Sequence, residues 1–414
     1  MARLSGAQTD SVLITLDEAG VRAAGLVRAV PDLLDLPLVE ADGRVLADAV
    51  IAPLDLPPFA NSAVDGYAVR FSELAPRTQT RLPVLGQSLA GEAAGVLERG
   101  AWRIFTGAPI PEGADTVIMQ EDVAVSDAQV ILPSGVKLGA NLRLAGEDVM
   151  RGQVALPAGR RLRPQDLGLL AALGLERVRV RRRPRVALFS TGDELTEPGQ
   201  PLAPGAIYDA NRAMLRTLLA RAGADVADLG ILRDEPVELE RHLREAAGAC
   251  DLVVTSGGVS VGDADHVKAA VAACGSLDLW RVAIKPGKPI AMGSVAGTPF
   301  IGLPGNPVAV FVGFLFVARP LLARLAGAIP EQPAAWPVIA GFSHRKKAGR
   351  REFLRVTIEP RDDGAVAASK HPGEGAGSLA SLSQSDGLVV LAEDTEQVEE
   401  GDFLSFLPYA GLLG

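Results

Sequence analysis

The spacing of apolar and polar positions changes character along the chain. Residues 15–30 have helical spacing, and Thr15 followed by Glu18 has the form of a capping box at a helix start. Pro31 is predicted to end this helix, and a second helix is predicted over residues 37–49. From residue 53 to about 103 the chain is rich in proline and glycine, with short alternating apolar stretches that favour strands and turns.

A regular alternation of strands and helices begins at Arg185. The predicted strands cover residues 186–190, 226–232, 252–256, 279–284 and 299–303. The predicted helices cover residues 211–222, 236–249, 264–274 and 307–325, and Pro320 is expected to kink or split the last one. This alternation is typical of a mostly parallel sheet covered by helices on both faces, which gives a central three-layer α/β/α domain.

The flanking regions complete the predicted architecture. Beyond residue 333, short strands without any helical period indicate a small β-barrel. Residues 143–174 return to the style of the first segment, with Pro164 and Gly174 suited to the two ends of a helix. We therefore expect a multidomain α/β protein. Its predicted parts are a discontinuous N-terminal domain (11–52 and 145–184), a β-rich insertion (53–144), the α/β domain (185–332) and a C-terminal barrel (333–414).

Composition narrows the function classes. The 414 residues carry a formal net charge of -9, which argues against nucleic-acid binding, and the basic run at 177–185 is interpreted as a solvated strand and linker. Cys250 and Cys274 form no CxxC pair, which argues against a zinc site or a disulfide framework. The longest apolar run, residues 308–318, is short of the ~20 residues of a membrane span. A cytoplasmic protein with no membrane partner is expected.

The loops predicted after the five strands carry chemistry suited to a phosphorylated ligand. Carboxyl ends of parallel strands share one edge of a sheet, where ligands bind. Glycine-rich loops that lead into helices offer N–H groups to phosphate oxygens, and lysines add positive charge. The candidate residues in these loops are Thr191, Gly192, Asp193, Glu194, Asp234, Ser256, Gly257, Gly258, Ser260, Asp263, Asp265, Lys285, Lys288, Pro304, Gly305, Asn306 and Pro307.

The acids among these residues suggest a cation. Hard carboxylate oxygens beside a phosphate site usually bind Mg²⁺. Any one such loop could be a turn for backbone reasons alone, but five loops at one edge favour a ligand site. Gly287-Lys288 is followed by Pro289, so no P-loop is present, and no GxGxxG motif follows a predicted strand. His266 beside Asp265 is open to a capping role or a role as general base.

Eight motifs along nearly the whole chain resemble those of the molybdopterin molybdenumtransferase family. They lie at residues 61–68, 106–109, 146–148, 190–195, 255–260, 285–289, 303–307 and 349–353. Val64 stands where the signature loop of the family usually has methionine, and residues 377–381 match only loosely. The central motifs are shared with molybdopterin adenylyltransferases, which resemble the central domain alone.

The resemblance implies an activity and a set of roles. Molybdate would be inserted into adenylylated molybdopterin with release of AMP, assisted by Mg²⁺ held by Glu194, Asp234 and Asp265. The protein would be a homodimer whose site lies between the central domain of one subunit and the signature-loop domain of the other. The implied roles are a catalytic role for Asp65 and substrate contacts by Thr106 and Asp148, all from the partner subunit. Lys285, Lys288 and Arg281 (near the start of its strand) would neutralise charge, with Lys285 also catalytic, and Arg350, Ser378 and Ser381 would complete a molybdate pocket.

Alternatives remain open from the residues themselves. Asp65 before Gly66 equally suits a turn, and Asp148 equally suits a turn cap. The adenylyltransferase of the preceding step and a noncatalytic assembly scaffold are the competing functions. The expected delivery partners are that upstream adenylyltransferase and downstream apo-molybdoenzymes.

Overall fold

Seven strands form the central sheet in this computed structural model, which describes residues 13–413 apart from 234 and 259–265. In spatial order they are Leu13–Ile14, Gly275–Val282, Pro289–Val295, Thr298–Leu303, Leu252–Ser256, Arg185–Thr191 and Asp225–Leu232. Neighbours are parallel except at Pro289–Val295, which is antiparallel to the strand on either side. The predicted mostly parallel sheet is confirmed, although the first and third of these strands were not predicted.

Helices cover both faces of this sheet. Leu16–Gly25, Ala210–Arg221 and the helix that begins at Pro307 lie on one face, and Pro236–Ala249 and His266–Cys274 lie on the other. Side chains alternate between the two cores along each strand, as extended backbone requires. The three-layer prediction is therefore confirmed.

The helix that begins at Pro307 is interrupted by a wider turn. It consists of Pro307–Gly313, a π-helical segment Phe314–Ala318, and Arg319–Leu325. Pro320 has no N–H to donate to the preceding turn, which agrees with the predicted irregularity. By length and composition Pro307–Leu325 could cross a membrane, with a mean hydropathy of 1.9, but 72% of its most apolar window is buried inside the protein.

Two predictions for the first segment are partly wrong. Thr15 caps the first helix by accepting a hydrogen bond from the Glu18 N–H, but the helix ends at Gly25, since glycine is a weak helix former. Residues 37–49 are not an α-helix. Instead, Leu33–Pro37 is a strand that pairs with Arg177–Arg181, followed by a short 3-10 turn at Leu38–Glu40. The arginine-rich strand alternates exposed and buried positions, as the solvated-strand interpretation requires.

The β-rich insertion contains a six-stranded sheet. Its strands, in spatial order, are Thr116–Met119, Gly66–Val69, Ala101–Ile104, Thr80–Ser88, Gln129–Leu132 and Ala124–Ser126. A side chain at Gly66 would place its Cβ 2.0 Å from the Ile118 carbonyl oxygen, so only glycine fits there. Shorter pairs lie beside it, Asn61–Ser62 with Leu142–Arg143 and Val50–Ile51 with Val154–Leu156, and the helix Pro164–Ala172 follows.

The C-terminal domain is a closed five-stranded barrel. Its order is Arg351–Pro360, Val366–Lys370, Trp336–Ala340, Phe403–Pro408 and Gly387–Leu391, and the last strand pairs back with the first. The predicted barrel is confirmed. The short strand Ile284–Lys285 leaves the central domain and pairs with Arg351–Glu352, which ties the barrel to the central domain. The remaining elements are the strand pairs Leu195–Thr196 with Ile207–Tyr208 and His344–Arg345 with Gln397–Val398, the short helices Ala380–Ser383 and Tyr409–Leu413, and the 3-10 turns Phe71–Glu73 and Gln120–Asp122.

Candidate functional site

Three loops adjoin at the carboxyl edge of the central sheet. The strand register places Ser190 beside Ser256, and Ser256 beside Leu303. The Gly257 N–H donates to the Leu303 carbonyl at 3.1 Å. A Cβ on Gly258 would lie 2.4 Å from Val267 Cγ2 and 3.0 Å from Thr191 Cγ2, so the absence of a side chain lets this loop approach its neighbour closely. The loops lie side by side, as the parallel strands predict.

Glycine shapes the loop that carries Glu194. Gly192 has a φ of +150°, and a Cβ there would lie 2.6 Å from Glu194 Oε2. The Glu194 carboxylate therefore folds back against the backbone of Gly192 at the edge of the sheet. Asp193 and Glu194 are both exposed to solvent.

The other predicted metal ligands, Asp234 and Asp265, lie outside the described residues, as do Asp263 and Ser260. Among the residues that are described, no group of three or more His, Cys, Asp or Glu could hold a metal ion. Glu194 is therefore the one predicted ligand that belongs to the described part of the chain.

The edge also contains buried polar atoms, on Thr191, which was predicted, and on three residues that the sequence prediction did not single out. Ser190 Oγ, Thr191 Oγ1, Thr255 Oγ1 and Asn211 Oδ1 are buried and make no hydrogen bond within the described structure. Leaving such groups unpaired is costly, and in native proteins they usually mark a bound ligand or water. In the sequence, Ser190 and Thr255 could have been recognised because they are polar residues at the ends of apolar strands.

A helix begins at the same edge. Pro307 is the first residue of its helix and Asn306 is the N-cap, as predicted, although the Asn306 side chain makes no capping hydrogen bond. The Asn211 amide donates to the Gly305 carbonyl at 2.7 Å and holds the preceding loop. Ser256 Oγ donates to the Pro304 carbonyl at 3.4 Å, so Ser256 supports this loop as well.

The lysine loop connects the sheet edge with the barrel. Lys285 Nζ donates to Glu352 Oε1 at 2.7 Å, and the Glu352 side chain is 6% exposed. Gly287 lies against the helix that begins at Pro307, where a Cβ would be 3.3 Å from the Ala309 carbonyl oxygen. Lys288 is half-buried. Arg281 lies near the end of its strand Gly275–Val282 and is exposed, so its predicted place near the strand start was wrong because the strand begins four residues earlier than predicted.

A cavity of about 200 Å³ lies beside Lys285, between the central domain and the barrel. Its charged and titratable lining residues are Lys285, His344, Glu352, Arg355, Lys370, His371 and Glu374. The two lysines pair with the two acids, Lys285 with Glu352 and Lys370 with Glu374, so Arg355 leaves an excess of positive charge that favours a small anion in this space.

Arg355 is the barrel residue that the sequence prediction missed. It is 5% exposed, its Nε donates to Ser381 Oγ at 3.0 Å, and burial lowers its pKa. Ser381 in turn donates to the Ser378 carbonyl, so both predicted serines belong to the loop that Arg355 holds. Arg350 precedes the strand and is not among the residues that line the cavity. In the sequence, Arg355 is flanked by the apolar residues Leu354 and Val356, both of which are buried in the barrel.

The signature loop brings Asp65 and Thr106 together. Asp65 Oδ1 accepts hydrogen bonds from the Thr106 N–H at 2.8 Å and from the Thr106 hydroxyl at 2.9 Å. These bonds, the backbone one first, hold the pKa of the Asp65 carboxyl below its usual range. The Arg103 guanidinium lies over the Tyr67 ring at 5.1 Å and donates to the Gly66 carbonyl, which fixes the loop after Asp65.

Asp148 lies beside the same loop. Arg143 pairs in register with Asn61, and its guanidinium binds Asp148 at 3.0 Å and Glu147 at 2.9 Å. Across the described ranges, no hydrogen bond or ion pair joins Asp65, Thr106 or Asp148 to the edge of the central sheet of the same chain. The predicted site residues thus form two groups, one in the insertion and one at the central domain and barrel.

Comparison with known protein families matches three segments of the chain. Residues 14–174 match the "MoeA N-terminal region (domain I and II)", residues 187–324 the "Probable molybdopterin binding domain", and residues 337–409 the "MoeA C-terminal region (domain IV)".

Relatives match over nearly the full length. A molybdopterin molybdenumtransferase of Haemophilus influenzae is 39% identical over 97% of this chain and 100% of its own, and molybdopterin molybdenumtransferase 2 of Mycobacterium tuberculosis is 37% identical over 89% and 93%. The crystal structure of the molybdopterin biosynthesis moeA protein from Pyrococcus horikoshii OT3 matches with a TM-score of 0.81 and 30% identity, over 96% of this chain and 100% of that one. The chain therefore belongs to the molybdopterin molybdenumtransferase family.

Proposed function

We propose that this protein inserts molybdate into adenylylated molybdopterin and releases AMP and molybdenum cofactor. The observation that supports the proposal is that a loop edge suited to phosphate lies next to a cavity suited to a small anion. An edge of glycine loops with unpaired buried hydroxyls adjoins, through Lys285, a cavity whose lining carries more cations than acids. A pterin pyrophosphate and an oxyanion are both negatively charged, and bringing them together requires oriented N–H groups and positive charge.

The two features suit different parts of the reactants. The pyrophosphate would lie along the loop at Gly258 and at the start of the helix at Pro307, where the positive end of the helix dipole favours phosphate oxygens. The cavity beside Lys285 would receive molybdate, with Lys288 and Arg355 adding positive charge. We add Arg355 to Arg350 in this proposed role, because Arg355 lines the cavity and donates a hydrogen bond to Ser381.

Glu194 is the described residue that we propose as a ligand of Mg²⁺. Its exposed carboxylate is a hard oxygen donor that lies against Gly192, and Asp234 and Asp265 are the proposed further ligands. The ion would neutralise charge on the pyrophosphate as its bond to AMP is cleaved.

We also propose that the site is completed by a second subunit. Asp65, Thr106 and Asp148 would face the central domain of the partner in a homodimer, which agrees with the two separate groups of site residues in one chain. The adenylyltransferase that makes the substrate and the apo-molybdoenzymes that receive the product are the proposed partners, in the cytoplasm.

AMP release from adenylylated molybdopterin, with and without molybdate and with Mg²⁺ present, tests the proposal. Molybdate-dependent release that Glu194→Gln abolishes is the expected result. Glu197→Gln is the matched control, because Glu197 lies three residues away and binds Arg212 rather than the edge loops. Tight binding of the pterin without AMP release would instead indicate a carrier or scaffold.

A further inference from the structure

A second cavity lies on the side of the central domain away from the loops described above. Its volume is about 220 Å³. The helix Ala210–Arg221 follows a loop at the carboxyl edge and leads to the strand Asp225–Leu232, so its last residues lie at the opposite edge. Arg221 and Ala222 line the cavity, as do Arg319 and Ala323 from the far half of the helix that begins at Pro307. The cavity is therefore separate from the proposed catalytic edge.

The body of this cavity is apolar. The π-helical segment contributes Phe314 and Phe316, and Ile329 and Pro330 cover them from the chain that leads to the barrel. An engineered cavity of about 150 Å³ with apolar walls accommodates benzene. The volume here is somewhat larger, which suits one aromatic ring with a short substituent.

The polar part of the cavity is cationic. Arg161, Arg221 and Arg319 line it together with one acid, Glu331. Arg161 is already engaged, since it donates to the carbonyls of Gly43 at 2.9 Å and Ala222 at 3.2 Å. It closes one wall of the cavity.

Arg319 has no such partner. It is half-buried, and across the described residues its side chain makes no hydrogen bond and no ion pair within 4.0 Å. Burial lowers its pKa, and Glu331 opposes this shift only from a longer distance. A guanidinium remains charged inside proteins, so a partly desolvated one beside an apolar space favours a carboxylate that restores its hydrogen bonds.

We propose that this cavity binds a small aromatic carboxylate, with the ring against Phe314 and Phe316 and the carboxylate on Arg319. The ligand is defined by chemistry alone: one ring, one negative charge and a length that the cavity accommodates. This binding site does not depend on the proposed function, because none of its lining residues contributes to the edge loops or to the cavity at Lys285.

Titration calorimetry of the full-length protein with benzoate tests the proposal, and benzamide serves as the neutral analogue of the same shape. We expect benzoate to bind and benzamide to bind far more weakly. Arg319→Gln should weaken benzoate binding about tenfold to hundredfold, the loss expected for hydrogen bonds between charged groups. Arg324→Gln is the matched control, since Arg324 is exposed on the same helix and does not line the cavity.

Two further variants test whether benzoate occupies this cavity rather than another part of the protein. Ala323→Leu should fill the cavity from another wall and abolish binding while Arg319 is retained, with circular dichroism to confirm that the Arg319 and Ala323 variants are folded. Lys285→Ala and saturating molybdate should leave benzoate binding unchanged, because they affect the other cavity. The proposal is overturned if benzoate does not bind, if it binds no better than benzamide, or if folded Arg319→Gln binds it as well as the original protein.

Discussion

At the scale of single residues, Gly192 controls the position of a carboxylate. A Cβ there would lie 2.6 Å from Glu194 Oε2, so Gly192→Ala must displace the Glu194 side chain. We expect AMP release to fall by about 100-fold, the size of effect that a 1 Å displacement of a catalytic group produces. Stability should fall by only about 1 kcal/mol from the strained backbone.

Gly199→Ala is the control for backbone strain. Gly199 has a φ of +92° and no atom within 4 Å of the position of a Cβ, so strain is added without displacing Glu194. The rate of AMP release and the urea unfolding midpoint are measured for both variants. Equal losses of activity would show that Gly192 acts only through stability.

Thr106 sets the charge state of Asp65. Its N–H and hydroxyl both donate to Asp65 and lower the pKa of that carboxyl from an ordinary value of 3.8. Thr106→Val removes the hydroxyl bond, so the pKa of Asp65 should rise, whereas Thr106→Ser should keep it low. Carbon-detected NMR titration of the Asp65 carboxyl measures both.

The sign of the linked stability follows from this pKa. Because the pKa is lowered in the folded state, the bonds stabilise the protein above the unfolded pKa, and this stabilisation is lost as the pH falls through the folded pKa. In Thr106→Val the folded pKa of Asp65 should lie closer to its unfolded pKa, so this stabilisation should be lost over a narrower pH range. An unchanged pKa in that variant would contradict the role of the hydroxyl.

At the scale of elements, the two-residue strand Leu13–Ile14 anchors the start of the described chain. It pairs with the edge strand Gly275–Val282, and Ile14 is 2% exposed in the core that the first helix shares with the central domain. Ile14→Ala should cost about 2–4 kcal/mol of unfolding free energy, as for other buried aliphatic truncations. Leu13→Ala should cost less than about 1 kcal/mol, since Leu13 is 48% exposed. Urea unfolding measures the unfolding free energy of both variants. Similar losses in the two would mean that burial of Ile14 does not anchor the strand.

Elements of the central domain were largely predictable, for a physical reason. Strands buried on both faces and helices with one apolar face have distinct periods, and parallel strands bring their carboxyl ends to one edge. Pro289–Val295 escaped prediction because it begins with proline and contains Gly293, although it is a fully paired strand. The helix predicted over residues 37–49 is absent because pairing with Arg177–Arg181, far along the chain, outweighed local helical spacing.

The site residues were also predictable where local patterns position them and not where contacts with distant segments do. Loops that follow parallel strands could be grouped from the sequence, because the sheet itself fixes their neighbours. Contacts between distant segments could not be grouped, such as Thr106 with Asp65 or Arg355 with Ser381, since no local period encodes them. Arg355 was passed over for Arg350 because burial of the whole strand, rather than its composition, places Arg355 at the cavity.

At the scale of the whole molecule, the barrel and the central domain form one side of the candidate site. The strand Ile284–Lys285 pairs with Arg351–Glu352, and Val308 donates its N–H to the Ala376 carbonyl at 2.9 Å. The insertion that carries Asp65 and Thr106 contributes none of the described hydrogen bonds or ion pairs at this junction. A site that needs both groups must therefore obtain the second from another chain or from a different arrangement of domains.

Complementation between two inactive variants distinguishes these possibilities. Asp65→Asn disables the insertion side and Lys285→Ala disables the central side, so each homodimer should release little AMP. If sites are shared between subunits, a mixed dimer has one site with both defects and one with neither. Random exchange makes half of the dimers mixed, so the mixture should regain about one quarter of the original activity. Combining both substitutions in one chain and mixing it with Asp65→Asn is the control, because no intact site can then form. If each chain instead completes its own site, the mixture of single variants remains as inactive as its components, and the shared-site proposal is wrong.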